Sequence, residues 1–339
     1  MVEPTQLWMD YLSLDPTYEE LRGLKERGWL NEAGDTFFQN RKRASKNLNQ
    51  KGKISFYKMT LHIGEGLASK TGIFDLQNAC PKVLDLGMAP GGFTGTAAKN
   101  LPGSLIDAVT LPCQIGGYEV MAKEVCRRIV YADITMYSKE MAYEEKIPAG
   151  HPDSNKFETC QPFSGDLYDI VICGGAVGSD HPREPYRNGC EGTRLTVSQL
   201  VFAMNRLKPG GSVVLLLHRV ESWDTVCILH AFNEFSDIQL YKHPKCHAIK
   251  SSFYLVAKNV NLEHDVAKAS ISYWKNLWKY LTFKEFEDIP LPLSSFYGSD
   301  YAFLQRLRDE FGPQFLSMAR PVWKIQAKAL RRAPFTKQG

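Results

Sequence analysis

The stretch from Lys82 to Lys99, Lys-Val-Leu-Asp-Leu-Gly-Met-Ala-Pro-Gly-Gly-Phe-Thr-Gly-Thr-Ala-Ala-Lys, constrains the fold more than any other part of the chain. An apolar run, Val83 to Leu86, carries one acid, Asp85. A bend dense in glycine follows, with Gly87, Pro90, Gly91 and Gly92. Thr94 to Leu101 then has the small residues of a helix start. Strand, glycine turn and helix in this order let a backbone approach a nucleotide-like ligand closely, because glycine has no Cβ to hold the ligand off.

Two nucleotide-binding loops are excluded by spacing. No Gly-Lys-Ser/Thr follows the bend, so it is not a Walker A phosphate loop. Gly87-x-x-x-Gly91-Gly92 also lacks the G-x-G-x-x-G rhythm of a dinucleotide fingerprint. A plain glycine turn in an α/β protein stays open on the pattern alone.

The flanks supply the rest of an α/β alternation. Ile54 to Phe74 reads as the helix before the first strand, Ser104 to Leu111 as a second strand, Val130 to Ile134 as a third and Leu167 to Cys173 as a fourth. Thr196 to Leu207 has apolar residues at helical spacing, and Lys208-Pro209-Gly210-Gly211 reads as a sharp turn. Ser212 to His218 is nearly all apolar, as a buried parallel strand requires. Trp223 to Phe235 is helical, and Ile238 to Tyr241 and Ser252 to Lys258 read as two closing strands. Ser138 to Gly165 is polar and rich in proline and glycine, which predicts either a lid or a disordered insertion.

Both ends are helical by pattern. Leu7 to Leu30 carries an apolar stripe broken near Pro16; Trp274, Trp278, Leu281, Phe283 and Phe286 form one aromatic piece beyond Val260, and Tyr301 to Phe315 another. Two segments are basic without an acid: Arg41 to Lys53 and Arg320 to Lys337. Each is able to contact phosphates, and the first is equally consistent with a solvated loop leading into the domain. A hydrophobic content of 44% over 339 residues is enough for a proper core, and a net charge of +4 permits an acidic partner without requiring one. No apolar run reaches membrane-spanning length, and the start lacks the pattern of a secretory signal. None of the eight cysteines forms a C-x-x-C pair. No structural metal is therefore expected, and free thiols in a reducing intracellular compartment, cytoplasm or nucleus, are.

Asp85-Leu86-Gly87-Met88-Ala89-Pro90-Gly91-Gly92-Phe93 resembles the first motif of class I S-adenosylmethionine-dependent methyltransferases, in the narrower form of the FtsJ-like RNA 2′-O-methyltransferases. The resemblance covers about residues 54 to 260. It implies a Rossmann-like class I methyltransferase sheet with helices on both faces. The implied domains are a helical N-terminal extension (1–53), a methyltransferase domain (54–260) and a helical C-terminal extension (261–339). It implies S-adenosylmethionine as cofactor, held by Asp85, Gly87, Ala89, Pro90, Gly91, Gly92, Phe93, Thr110 and Asp133. Thr110 stands where the family often has a ribose-binding acid, and Asp133 resembles the acid that meets the adenine amino group. A cap role for Asp133 is the competing reading.

The family's Lys-Asp-Lys-Glu tetrad can be followed position by position. Ser55-Phe56-Tyr57-Lys58-Met59 resembles the segment of the first lysine, which makes Lys58 the leading catalytic candidate. Gly174 stands in the aspartate's place, Leu216 in the second lysine's and Ser252 in the glutamate's. His218 and Arg219, just past the fifth strand, are possible substitutes, as are Asp180 and His181. His218 is the second catalytic candidate, against a plain structural histidine. Three readings follow: transfer to an RNA 2′-hydroxyl with a substitute set, transfer to a small molecule, or a cofactor-binding pseudoenzyme acting as a scaffold. RNA would be met through segments 41–53 and 320–337.

Overall fold

A computed structural model describes residues 4–46, 49–178, 181–283 and 300–336. The chain opens with α1 (Pro4–Ser13) and α2 (Pro16–Trp29). Asp15 caps α2 by accepting from the amides of Thr17 at 2.9 Å and Tyr18 at 3.2 Å, and Pro16 occupies the first turn, where its missing N–H costs nothing. The described residues of the first basic segment are mostly helical. The segment spans the end of α3 (Glu32–Lys46) and the start of α4 (Gln50–Thr71), which Asn49 caps through the Gly52 amide.

Next come β1 (Lys82–Leu86), α5 (Gly92–Asn100), β2 (Leu105–Thr110), β3 (Arg128–Tyr131) and β4 (Tyr168–Cys173). They are followed by α6 (Glu191–Met204), β5 (Leu207–His218), α7 (Trp223–Phe235), β6 (Asp237–Tyr241) and β7 (Ser252–Lys258). The seven strands form one sheet in the order β3-β2-β1-β4-β5-β7-β6. The first five are parallel, and β7 runs antiparallel to both neighbours. A parallel sheet closed by an antiparallel pair, with helices on both faces, is the arrangement that the sequence resemblance implied. Several boundaries differ from the sequence reading, two of them for reasons the structure shows. The turn expected at Lys208 to Gly211 lies inside β5, where the pairing with β4 shifts register and Gly210 has a φ of +72°. α6 starts at Glu191 rather than Thr196, because its first turn is charged yet buried.

Alternation along the strands builds a core on each face. Val83, Ile170, Ile172, Val214 and Val256 face α4 and α5. Leu84, Leu86, Val171, Leu215 and Leu255 face α6 and α7. That second core continues into α8 (Asp265–Phe283), α9 (Asp300–Arg306) and α10 (Gly312–Leu330). α1 and α2 join it: Trp8 packs against Phe315 at 5.1 Å, Tyr18 against Trp323 at 5.2 Å, and Arg320 pairs with Asp15 at 2.7 Å. The helices at the two ends of the chain thus make one layer. Phe286, Lys337 and Asp180 lie outside the described residues. No described helix is long and apolar enough to cross a membrane.

Residues 138–165 are neither a lid nor a disordered insertion; they are packed down against the body. Glu140 is buried in an ion pair with Arg206, itself held by the Pro162 carbonyl at 2.7 Å. Tyr143 stacks on Phe283 at 4.4 Å, and His151 Nε2 meets the Thr282 carbonyl at 3.1 Å.

α4 and α5 approach so closely that glycine is required at the contact. A Cβ on Gly92 would fall 2.2 Å from Thr60 Oγ1 and 2.4 Å from the Leu61 amide nitrogen. Gly92→Ala is expected to destabilise the protein by about 1–3 kcal/mol through overpacking. Gly150→Ala, where no atom lies within 4 Å of the new Cβ, should be neutral or slightly stabilising. Urea denaturation of the two variants side by side checks this; equal midpoints would refute it.

Candidate active site

The strands β1, β2 and β4 end together, and the loops that leave them line a crevice. It lies at the carboxyl edge of the sheet, where the strand order reverses between β1 and β4. Its floor is backbone. Gly87 leaves β1 with a φ of +75°, and a Cβ there would stand 2.4 Å from the Gly175 Cα and 2.6 Å from its nitrogen. Gly87 donates its amide to the Val109 carbonyl at 2.8 Å, and Gly174 donates to Leu86 at 2.9 Å, so both loops are pinned to neighbouring strands. Gly175 is tied to α6 as well, donating its amide to Gln199 Oε1 at 2.8 Å.

Four of the nine cofactor residues read from the sequence line this crevice: Gly87, Ala89, Thr110 and Asp133. The Thr110 hydroxyl accepts the Ala89 amide at 3.2 Å. The other five stand behind it, and each has a packing reason. Asp85 is fully buried and accepts the Thr94 hydroxyl at 2.6 Å, which clips the end of β1 to the first turn of α5. Burial pushes its carboxyl up to about 7, against the lowering effect of Thr94. The Pro90 carbonyl takes the Met121 amide at 2.9 Å. Gly91 precedes α5 with a φ of +104° and sits against Ala122. Gly92 meets α4, and Phe93 packs on Tyr254 at 5.2 Å.

Asp133 takes the cap role read for it and also lines the crevice. Its side chain caps the short turn Ile134–Met136, where Oδ1 accepts the Thr135 amide at 3.0 Å and hydroxyl at 2.8 Å. Oδ2 faces Arg187 at 2.8 Å and His181 Nε2 at 3.4 Å. Burial alone would raise this carboxyl, but the hydrogen bonds from His181 and Arg187 and the Arg187 charge hold it well below the usual carboxylate range. His181 also points Nδ1 at the Ile115 carbonyl, 2.9 Å away. Nε2 lies 3.2 Å from the Arg187 guanidinium as well, so it meets a donor and an acceptor together. The Asp133 contact raises its pKa above the ordinary histidine value, opposed by burial and by Arg187.

Arg187 is the centre of this cluster. It is 1% exposed and bridges Asp133, Glu191 and, at 3.6 Å, Asp153. Asp133, His181 and Glu191 come within 4.8 Å of one another, the spacing of a cation site, but the guanidinium already supplies positive charge to two of them. Arg194 extends the chain of contacts from Glu191 at 3.1 Å to the Thr282 hydroxyl at 3.2 Å. Arg187 and Glu191 were missed in the sequence. An Arg and a Glu one helical turn apart look like a solvated pair until tertiary structure buries them.

Neither catalytic candidate lines the crevice. Lys58 is exposed on α4, and its spacing from the fully buried Leu67, about two and a half turns, puts the two on opposite faces. His218 ends β5 as an exposed residue whose carbonyl accepts the Thr225 hydroxyl at 3.0 Å. Partial desolvation and the cations Lys250, Lys242 and Arg219 lower its pKa. His181 does line the crevice, and Asp180 beside it lies outside the described residues.

The model of the FtsJ-like methyltransferase family matches residues 57–260. No curated protein matches the chain. Similar solved structures include an O-methyltransferase family protein from Burkholderia thailandensis, with 10% identity over 63% of this chain and 61% of that one and a TM-score of 0.34. A ribosomal RNA methyltransferase from Plasmodium falciparum has 16% identity over 58% of this chain and 96% of its own, with a TM-score of 0.34. Human methyltransferase-like protein 13 in complex with SAH has 14% identity over 73% and 97%, with a TM-score of 0.33. The chain thus spans 61% of the first of these structures.

The buried Asp85 gives a pH signature. Its carboxyl titrates near 7 in the folded chain and near 3.8 when unfolded, so between those values the folded state holds a proton that the unfolded state has lost. Stability therefore falls as pH rises through this window. Asp85→Asn cannot titrate. It is expected to gain stability relative to the parent between pH 4 and 7, by up to about 4 kcal/mol. Denaturant midpoints across that range test this, and parallel curves for the two proteins would contradict it.

Proposed function

The chain belongs to the FtsJ-like methyltransferase family, its model matching residues 57–260, and from that premise we propose that this protein binds S-adenosylmethionine in the crevice after β1, β2 and β4 and transfers its methyl group to a hydroxyl, the 2′-hydroxyl of RNA. The observation that carries the reading is the contact of Gly87 with Gly175. Two bare backbones meet there, so closely that a Cβ on Gly87 would collide with Gly175, and together they make a floor on which a nucleoside can lie. When bound, the cofactor supplies a methyl group activated by a sulfonium.

The residues have distinct parts in this reading. Thr110, whose oxygen accepts from Ala89, turns its own proton toward a ribose oxygen. Asp133, kept ionised by Arg187 and His181, faces the exocyclic amine of the base. Gly175 to Gly178 form the wall nearest the acceptor. Proton removal is the weak point. Gly174, Leu216 and Ser252 cannot accept a proton from a hydroxyl at physiological pH, and Lys58 and His218 lie off the crevice. Rate enhancement then rests on holding the acceptor in line and excluding water.

The same observations favour a second reading, a cofactor-binding pseudoenzyme that serves as a scaffold. Calorimetry with S-adenosylmethionine and S-adenosylhomocysteine, followed by transfer of labelled methyl into an RNA pool, separates the two. Binding with transfer is expected. Binding without transfer to RNA or small-molecule pools would favour the scaffold, and the absence of binding would sink both. Thr110→Val is expected to weaken binding by about tenfold, the worth of one hydrogen bond. Gly178→Leu should abolish binding without unfolding the chain, because its Cβ would meet only the Gly116 carbonyl, at 3.9 Å.

A further inference from the structure

A second groove opens between α10 and the connection from β6 to β7. Lys324, Lys328 and Arg332 line one wall, Lys245 and His247 the other, and Phe37 of α3 lies at its margin. No carboxylate lines it. Lys324 and Lys328 stand about one turn apart on α10, with a rise of about 6 Å between them, and Arg332 continues the four-residue spacing in the turn just past its end. That step is comparable with the spacing of successive phosphates in an extended single strand. All three are exposed, and among the described residues none of them, nor Lys245, has a carboxylate at ion-pairing distance. Arg331, on another face of the helix, does: it pairs with Glu20 of α2.

The groove is rigidly built and joined to the catalytic edge. Gln326 donates to the Ile249 carbonyl at 3.3 Å and to Ser251 Oγ at 3.1 Å, which fixes α10 to the opposite wall. That wall is held from inside by Lys242, which is 5% exposed and donates to the carbonyls of Lys250 at 2.6 Å and Ser252 at 2.7 Å. Ser252 pairs with His218 at the carboxyl end of β5, and Arg219 donates to the Ser251 carbonyl at 3.0 Å. β5 is two strands from β1, or about 10 Å. The groove therefore starts on the edge of the sheet that carries the crevice, on its acceptor side.

We propose that this groove, built by a helix outside the residues matched by the family model, is a docking track for the phosphodiester backbone of single-stranded RNA, whose phosphates seat on Lys324, Lys328, Arg332 and Lys245. The proposal rests on the reading of RNA as the acceptor. Contacts of this kind position a strand without reading its sequence. They leave the reacting nucleotide to be selected at the crevice, and they supply from α10 the charge that the catalytic positions lack.

Fluorescence anisotropy with a labelled single-stranded RNA, over a range of salt concentrations, tests this. Each lost phosphate contact flattens the plot of log affinity against log salt by about 0.7. The triple variant Lys324→Gln/Lys328→Gln/Arg332→Gln is expected to flatten it by about 2 and to weaken binding at least tenfold near physiological salt. Lys245→Gln should flatten it by about 0.7, and Lys324→Arg/Lys328→Arg should keep the parent slope. Calorimetry with S-adenosylhomocysteine is run in parallel and should be unaffected by the triple variant. An unchanged slope, or no RNA binding by a parent that still binds S-adenosylhomocysteine, would overturn the groove while leaving the cofactor reading intact. So would a loss confined to binding of phosphatidylserine vesicles, which would identify a membrane surface instead.

Discussion

Everything at the candidate site depends on one close contact, that of the backbone after β1 with the backbone after β4. Parallel neighbours lie about 4.8 Å apart, and side chains on the exit residues would fill the space between their loops. Glycine at 87 and 175 removes those side chains, and hydrogen bonds to Val109 and Gln199 hold the bare segments still. The later glycines of the same motif serve packing. Gly92 admits α4, as Gly64 admits Thr96 from the other side, and this seats α5 behind the crevice. One run of sequence therefore makes both the ligand floor and the helix contact that supports it.

The second organising feature is buried charge. Arg187, Arg194, Asp133, Asp153 and Glu191 form a chain of ion pairs with little access to water. Removing these groups from water is costly, and the expense is offset only because each has several partners with good geometry. The chain leads from the crevice to Tyr186 and residue 153 of the packed segment, and through Arg194 to Thr282 on α8. Trp278, also on α8, donates to the carbonyl of Thr135, the residue that fixes Asp133. The C-terminal helices are thus coupled to the wall of the crevice rather than merely appended to the sheet.

On the proposed function, the cofactor side and the acceptor side of this molecule are unequal. On the cofactor side, glycines, a threonine and an ionised acid converge on one pocket. On the acceptor side, tetrad positions hold Gly174, Leu216 and Ser252, and positive charge appears instead along α10. An enzyme that gains little from proton transfer must gain more from positioning, and a rigid basic track beside the sheet edge is a device for positioning an anionic polymer.

The sequence by itself determined the α/β alternation, the strand–glycine–helix motif and the family, because these are written locally: a period of two on strands, helical spacing on helices, and glycine where no Cβ fits. It also placed Gly87, Ala89, Thr110 and Asp133 at the crevice, since residues at strand ends share one edge of a parallel sheet. Only the tertiary structure decided the rest. Lys58 sits in a fitting local string, but the register of α4 against the sheet turns it to solvent. Asp85 reads as a ligand residue but is consumed by Thr94. Residues 138–165 read as loose because their anchors, Arg206, Thr282 and Phe283, are far away in the chain. The Arg187 cluster and the α10 groove join residues from separate elements, and burial and alignment of charge across such distances are properties of packing that no local pattern carries.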